Sequence, residues 1–357
     1  ISLPSGARLD LPHTANVRVD TIMVKSGATF AAESPRDFSE AIATGNGTII
    51  TGQPLVSSVS SSTSDGAYNA GDTVLVTITF SENVTVTGTP QLTMETGSTD
   101  AVLNYVSGSG TATLVFRYIV ASGHTSADLA YSSTTALALP ESTTKIQDNL
   151  VNDGVLTLPV SGATNSLQAN KALVIDTEAP TAGTVSDGSG TEDVTYSGSS
   201  TSITANWTGF SDALSGIASY EIAVGTTSGA TNVLSWTSAG DVTTYTKSDL
   251  SLTHATRYYV STRALDAAGN YSAAATANGV IIDVVAPSSA VSIDSTTYNA
   301  SEWDAATAIT GTAADTNSGL SLVETSIQRS TDSYYWTGSE WSATEQWLSL
   351  TGTSTWN

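Results

Sequence analysis

The chain contains no cysteine. That excludes disulfides, a thiol nucleophile and lipid attachment through an N-terminal cysteine. Basic residues are scarce: 11 Lys plus Arg stand against 33 Asp plus Glu, a net charge of −22 in 357 residues. A surface of that sign repels nucleic acid and anionic membranes, whose recognition needs clustered Lys and Arg. The imbalance is uneven, at −1 over residues 1–53, −6 over 54–175, −8 over 176–283 and −7 over 284–357. No run of 18 apolar residues occurs, so no membrane insertion is expected. The opening Ile-Ser-Leu-Pro lacks a Met and a basic start, which points to a mature chain or fragment whose export signal has been removed. The three histidines, His13, His124 and His254, lie in separate segments without metal-ligand spacing. A Gly-x-Ser-x-Gly elbow, a Gly-rich phosphate loop and an Asp-x-Asp-x-Asp-Gly calcium loop are all missing. No enzyme is expected, although folding could still assemble a pair of carboxylates.

What is present reads as β-structure. Hydrophobic residues make up 39 % of the chain, enough for a folding sequence. Nearly a third of the residues are Ser or Thr. Thr and Val suit a pleated, half-buried surface, and Gly, Asn, Asp and Ser suit turns. No long segment sustains a 3.6-residue period, so the fold class is all-β. The absence of disulfides in an exported chain fits a bacterial rather than an animal surface protein.

A junction occurs twice. Ile175-Asp-Thr-Glu-Ala-Pro180 is matched by Ile282-Asp-Val-Val-Ala-Pro287, about one immunoglobulin-like sandwich later. Each is followed by a second signature, Asp212-Ala-Leu-Ser-Gly216 and Asp315-Thr-Asn-Ser-Gly319, with a Glu five residues on (Glu221, Glu324). Repetition of this kind means tandem modules. The boundaries read as a β-rich N-terminal cap or assembly segment (1–53), a first sandwich (54–175), a second (176–283) and the start of a third (284–357).

Within 1–53, Arg8–Pro12, Asn16–Lys25, Ser26–Phe30 and Gly45–Ile50 carry strand and turn patterns. In the first module Val74–Phe80 alternates cleanly. Ala101–Val106 and Thr111–Val120 form a hairpin across Ser-Gly-Ser-Gly, and Val155–Pro159 and Ala172–Ile175 close the sandwich. Tyr68-Asn-Ala-Gly-Asp72, Phe80-Ser-Glu-Asn-Val84, Gly88-Thr-Pro90, Asp128-Leu-Ala-Tyr131 and Leu156-Thr-Leu-Pro159 resemble the immunoglobulin-like repeats of large bacterial surface proteins and adhesins. In the second module Trp207, Tyr220 and the run Leu252–Ala264 resemble a fibronectin type III domain, with His254 where that family usually has Pro. The resemblance implies that Trp207 and Tyr220 are core residues and that Tyr258 occupies a tyrosine corner. The third module starts like the second but has no counterpart of the Tyr258 strand or of Asp266-Ala-Ala-Gly-Asn270. It reads as part of a longer protein, or as a sheet completed by a partner.

Calcium is the one cofactor the residues suggest, because it takes six to eight oxygens from carboxylates, amides and carbonyls. At the first junction Asp176 and Glu178 could share an ion with Asp212 or with the Asp266/Asn270 loop. Asp283 and Asp315 are the corresponding pair at the second junction, and Asp148, Asn149, Asn152 and Asp153 crowd one loop of the first module. The same residues also simply make turns. Five of the seven Trp fall in residues 303–356. There, Tyr335, Trp336 and Trp341 make either a platform for sugar rings or a hairpin whose aromatics pair across strands.

The function expected is a non-catalytic stalk or fibre segment of a bacterial adhesin, an elongated rod at the cell surface. Its partners would be further repeats of a longer chain, copies of itself, or a cell-surface glycan or protein. A self-assembling filament subunit using strand complementation and a non-catalytic arm of a secreted polysaccharide-degrading enzyme are the alternatives.

Overall fold

A computed structural model describes residues 53–190, 192–292 and 309–351, together with short strands in 2–50 and at 355–356. The chain divides into two compact units. One holds Ile1–Thr181, Ser211–Ala218 and Ala264–Ala273, and the other holds Ala182–Phe210, Ser219–Arg263 and Ala274–Asn357.

The first sandwich is built around one long strand, Thr73–Thr87, whose buried positions Val74, Val76, Ile78 and Phe80 alternate with outward ones. The period of two puts one set of side chains on the core face of the sheet. Thr111–Ile119 pairs along it, followed by Ala101–Ser107, Gln91–Glu95 and Ala130–Tyr131. Val56–Ser61 pairs with the first half of the long strand and Lys145–Gln147 with its end. A second, three-stranded sheet of Thr125–Ser126, Leu173–Asp176 and Gly66–Tyr68 contributes Leu173 and Ile175 to the same core. The expected hairpin is present.

Two local differences from the sequence reading stand out. Val155–Pro159 is not a strand: Val155 makes only an isolated bridge to Leu55, and Leu158 is held by its N–H to Thr134 O while Pro159 has no N–H to extend a ladder. A one-turn helix, Leu167–Asn170, lies in a region with no helical period, started by Ser166 Oγ accepting from Ala169 N and anchored by buried Leu167.

The second sandwich has a sheet of Thr184–Asp187, Ile203–Thr208 and Thr244–Lys247. Its other sheet orders Tyr196–Ser197, Val280–Ile282, Arg257–Asp266, Ile217–Gly225 and Leu234–Gly240, with Ala275–Thr276 also on Arg257–Asp266. In strand-letter terms this is A-B-E against G-F-C-C′, a fibronectin III-like sandwich, and Trp207 and Tyr220 pack ring to ring between the sheets at 5.4 Å. Tyr258 is buried at the start of the Arg257–Asp266 strand, and its hydroxyl accepts from Thr253 N at 2.9 Å, the tyrosine-corner bond.

Beyond it, Ser288–Ser292, Thr310–Ala314 and Thr355–Trp356 form a three-stranded sheet, and Glu324–Thr325 pairs with Leu348–Ser349. The core here is small: Ala313 and Val323, with Ile309, Leu320 and Leu350 against them. Near the N-terminus Arg8–Leu11, Thr29–Ala32 and Thr48–Ile50 form a parallel sheet, and Ser2–Leu3 pairs in parallel with Met23–Val24. The rest of the expected Asn16–Lys25 strand lies outside the described residues.

Candidate functional site: the junction carboxylates

The repeated junction and the repeated Asp-x-x-Ser-Gly loop, separate in sequence, meet in space. Asp176 ends the strand Leu173–Asp176 and is fully buried. Its Oδ2 accepts from Ser215 Oγ at 2.6 Å and from Ser215 N at 3.2 Å, and its Oδ1 accepts from Glu178 N at 3.0 Å. Asp212 shapes the loop that presents Ser215: one oxygen, Oδ1, accepts from the N–H groups of Leu214, Ser215 and Gly216 at 2.8–3.1 Å. Asp266, also buried, is positioned by Asn270, whose N and Nδ2 each donate to it at 2.8 Å. Asn270 Nδ2 also donates to Asp176 O at 3.1 Å, and Ala267 N to Gly216 O at 3.1 Å, tying the two loops to the junction.

The carboxylates of Asp176, Asp212 and Asp266 converge, each offering an oxygen within 4.8 Å of the others. Every donor named above is neutral. Three carboxyl groups thus share a largely buried space, an arrangement of oxygens that suits a divalent cation. Glu178, placed in the same site by its sequence position, is exposed and outside this group.

The second junction repeats the first in outline. Asp283 Oδ2 accepts from Ser318 N at 2.9 Å and Oδ1 from Val285 N at 3.3 Å. Asp315 Oδ1 accepts from Asn317 N, Gly319 N and Ser318 Oγ at 2.9–3.3 Å. The hydrogen bond from the Ser318 side chain holds the Asp283 carboxyl below its ordinary range. His254, at the position where the fibronectin pattern has Pro, sits 3.5 Å from Asp283 Oδ1 and 3.1 Å from Asn317 Nδ2. No third carboxylate joins Asp283 and Asp315 among the described residues.

The remaining candidates separate. Asp148 accepts from Leu150 N, Asn152 N and Asn152 Nδ2, each at 2.8 Å, and Asp153 from Gln147 Nε2 at 3.0 Å. These are the bonds of a turn, and no third metal-binding side chain meets them among the described residues. Trp336 pairs opposite Trp341 in a hairpin, with ring centroids 5.4 Å apart, and Tyr335 pairs opposite Ser342. The Arg329 guanidinium lies 4.6 Å over the Trp341 ring, so one face of that ring is already stacked. The sequence reading named the Asp-x-x-Ser-Gly signature but gave its serines no role. Their recurrence at the same offset from the aspartate was the available signal.

No protein-family model and no curated protein matches the chain. Among solved structures, it is similar to the Escherichia coli adhesin FdeC (17 % identity, 84 % of this chain and 85 % of that one, TM-score 0.35). It is also similar to the FN1–FN3 domains of chicken CNTN1 (14 % identity, 66 % and 67 %, TM-score 0.28). A third similarity is to fibronectin(III)-like modules of Clostridium thermocellum CbhA (14 % identity, 63 % and 94 %, TM-score 0.25).

Proposed function

We propose that this chain is a stretch of a non-catalytic stalk on the outside of a bacterial cell, a string of sandwiches that holds a binding tip away from the surface. The observation that carries the reading is the double clasp. At each junction the aspartate closing one sandwich is bonded to the serine of the next Asp-x-x-Ser-Gly loop. A device used twice at equivalent places is a joint between repeating parts, and Pro180 and Pro287 next to it restrict the backbone further. In this reading calcium binds Asp176, Asp212 and Asp266, with Asn270 orienting Asp266 through its Nδ2, and stiffens the first joint.

Small-angle scattering of the full chain tests the stalk. An elongated particle is expected, with a radius of gyration well above the roughly 20 Å of a compact globule of this length. A value near the globular one overturns the reading.

One observation favours a second reading, a self-assembling filament. Arg8–Leu11 and Thr48–Ile50 flank Thr29–Ala32 in a parallel sheet, and each is paired on one side only among the described residues. Open strand edges are templates for pairing with another chain. Polymers in light scattering that vanish on deletion of residues 1–53 would move the assignment there.

A further inference from the structure

One outward face of the first sandwich gathers three exposed aliphatic side chains on two paired strands. Val102, Val106 and Ile119 point away from the core and are 55 %, 49 % and 56 % exposed. The strand register makes Val102 and Ile119 neighbours, and Val106 lies at the bulge beyond the Asn104–Arg117 pair. Asn104 pairs with Arg117, so Val102 and Ile119, two residues along each strand, lie in one row across the sheet. Arg117 pairs in turn with half-buried Leu75, which extends the next row. Val102, Val106, Ile119 and Arg117 line a depression of about 550 Å³, with Asp100 and His124 also in its wall. Arg117 is exposed in its lining and has no carboxylate within ion-pair distance among the described residues. Lys145, Lys171, Arg263 and Arg329 have one, whereas Lys247 and Arg257, like Arg117, have none among the described residues.

We infer that this face docks a different protein, through a segment in which a carboxylate is flanked by aliphatic side chains. Exposed aliphatic side chains gathered around an arginine on one sheet face make an interaction site. An arginine inside such a patch is the residue type that dominates binding energies, and its guanidinium fits a carboxylate through two parallel hydrogen bonds. A second copy of this chain fits poorly. A two-fold axis through the patch would set Arg117 against its own copy, and the two partners would each carry −22. The inference goes beyond the stalk reading, since it makes the first sandwich itself a recognition surface.

Methyl NMR on the full chain, labelled at Ile, Leu and Val, tests it with two probe peptides, acetyl-Ile-Glu-Ile-amide and acetyl-Ile-Lys-Ile-amide. The expected result is saturable shifts confined to Val102, Val106, Ile119 and Leu75 with the Glu peptide, and binding about tenfold weaker with the Lys peptide. Arg117→Gln, an exposed substitution that leaves the other methyl signals in place, should erase the difference between the peptides. Ile119→Thr should weaken both. The proposal is overturned by no shift at millimolar peptide, by equal binding of the two peptides, or by shifts scattered over other exposed valines. It is also overturned if these methyls shift with protein concentration alone, because a second copy would then be the occupant.

Discussion

At Asp187 one carboxylate oxygen accepts the Gly279 N–H at 2.9 Å, while the other, Oδ1, is buried without a partner among the described residues. Burial pushes the group up to about 6. The Gly279 N–H acts against that rise, Asp193 adds to it, and Arg257 opposes it. The folded value lies above the ordinary 3.8, so the folded protein holds a proton that the unfolded chain releases between those values. The associated stability is full below about pH 4 and is lost as pH rises through about 6. Thermal melts of wild type should therefore show a melting temperature that declines across about pH 4–6. Asp187→Asn should flatten that decline and exceed wild type above pH 7. An unchanged pH slope in the variant would assign the effect to another group. Tyr258→Phe is a smaller test at the same scale: it removes the acceptor for Thr253 N and should cost about 1 kcal/mol in denaturant unfolding.

Strands and turns were the most legible part of the sequence, because alternation needs only the local pattern. Val74 through Phe80 announce an inward face by period alone. Ser107–Gly110 announces a hairpin by its glycines, and Gly108 explains why. It has φ +111°, and a Cβ there would stand 2.1 Å from Thr113 O. Gly108→Ala should therefore cost more than about 1 kcal/mol, read as a lower unfolding midpoint, with the hairpin amides exchanging first. The clasp was half legible. Both signatures were visible as repeats, but only folding brings Asp176 to Ser215, 39 residues away. The convergence of Asp212 and Asp266 rests on the Asn270 and Gly216 bonds, which no spacing rule encodes. Val155–Pro159 misled because an apolar alternation ending at a proline can be pinned by separate bonds to different segments instead of a ladder. Ser215→Ala removes the 2.6 Å bond to a buried carboxylate and leaves the backbone N–H in place. It should raise the exchange rates of residues 176–180 and 212–216 about tenfold or more, matching the 1.5–3 kcal/mol of hydrogen bonds to charged groups. Unchanged protection there would mean that the serine does not hold the joint.

For the molecule as a whole, a net charge of −22 makes any added salt stabilising to some degree, because counterions screen self-repulsion. A calcium effect on its own is therefore ambiguous, and the proposed site has to be separated from this background. Screening depends on ionic strength and is matched by magnesium or by sodium chloride at equal strength. A site of three carboxylates is not, because magnesium demands a tighter octahedron and keeps its waters. If calcium binds with the 0.1–1 mM dissociation constant typical of extracellular modules, 10 mM calcium should add about 1.4–2.7 kcal/mol beyond the matched magnesium control. Isothermal titration should then count one ion per chain. Asp266→Asn should remove both the heat and the excess stabilisation but keep the screening component, since it changes the net charge by only one. Equal stabilisation by calcium and magnesium, or heat that survives in Asp266→Asn, would leave the three aspartates as turn-makers and the joint held by the Ser215 clasp alone.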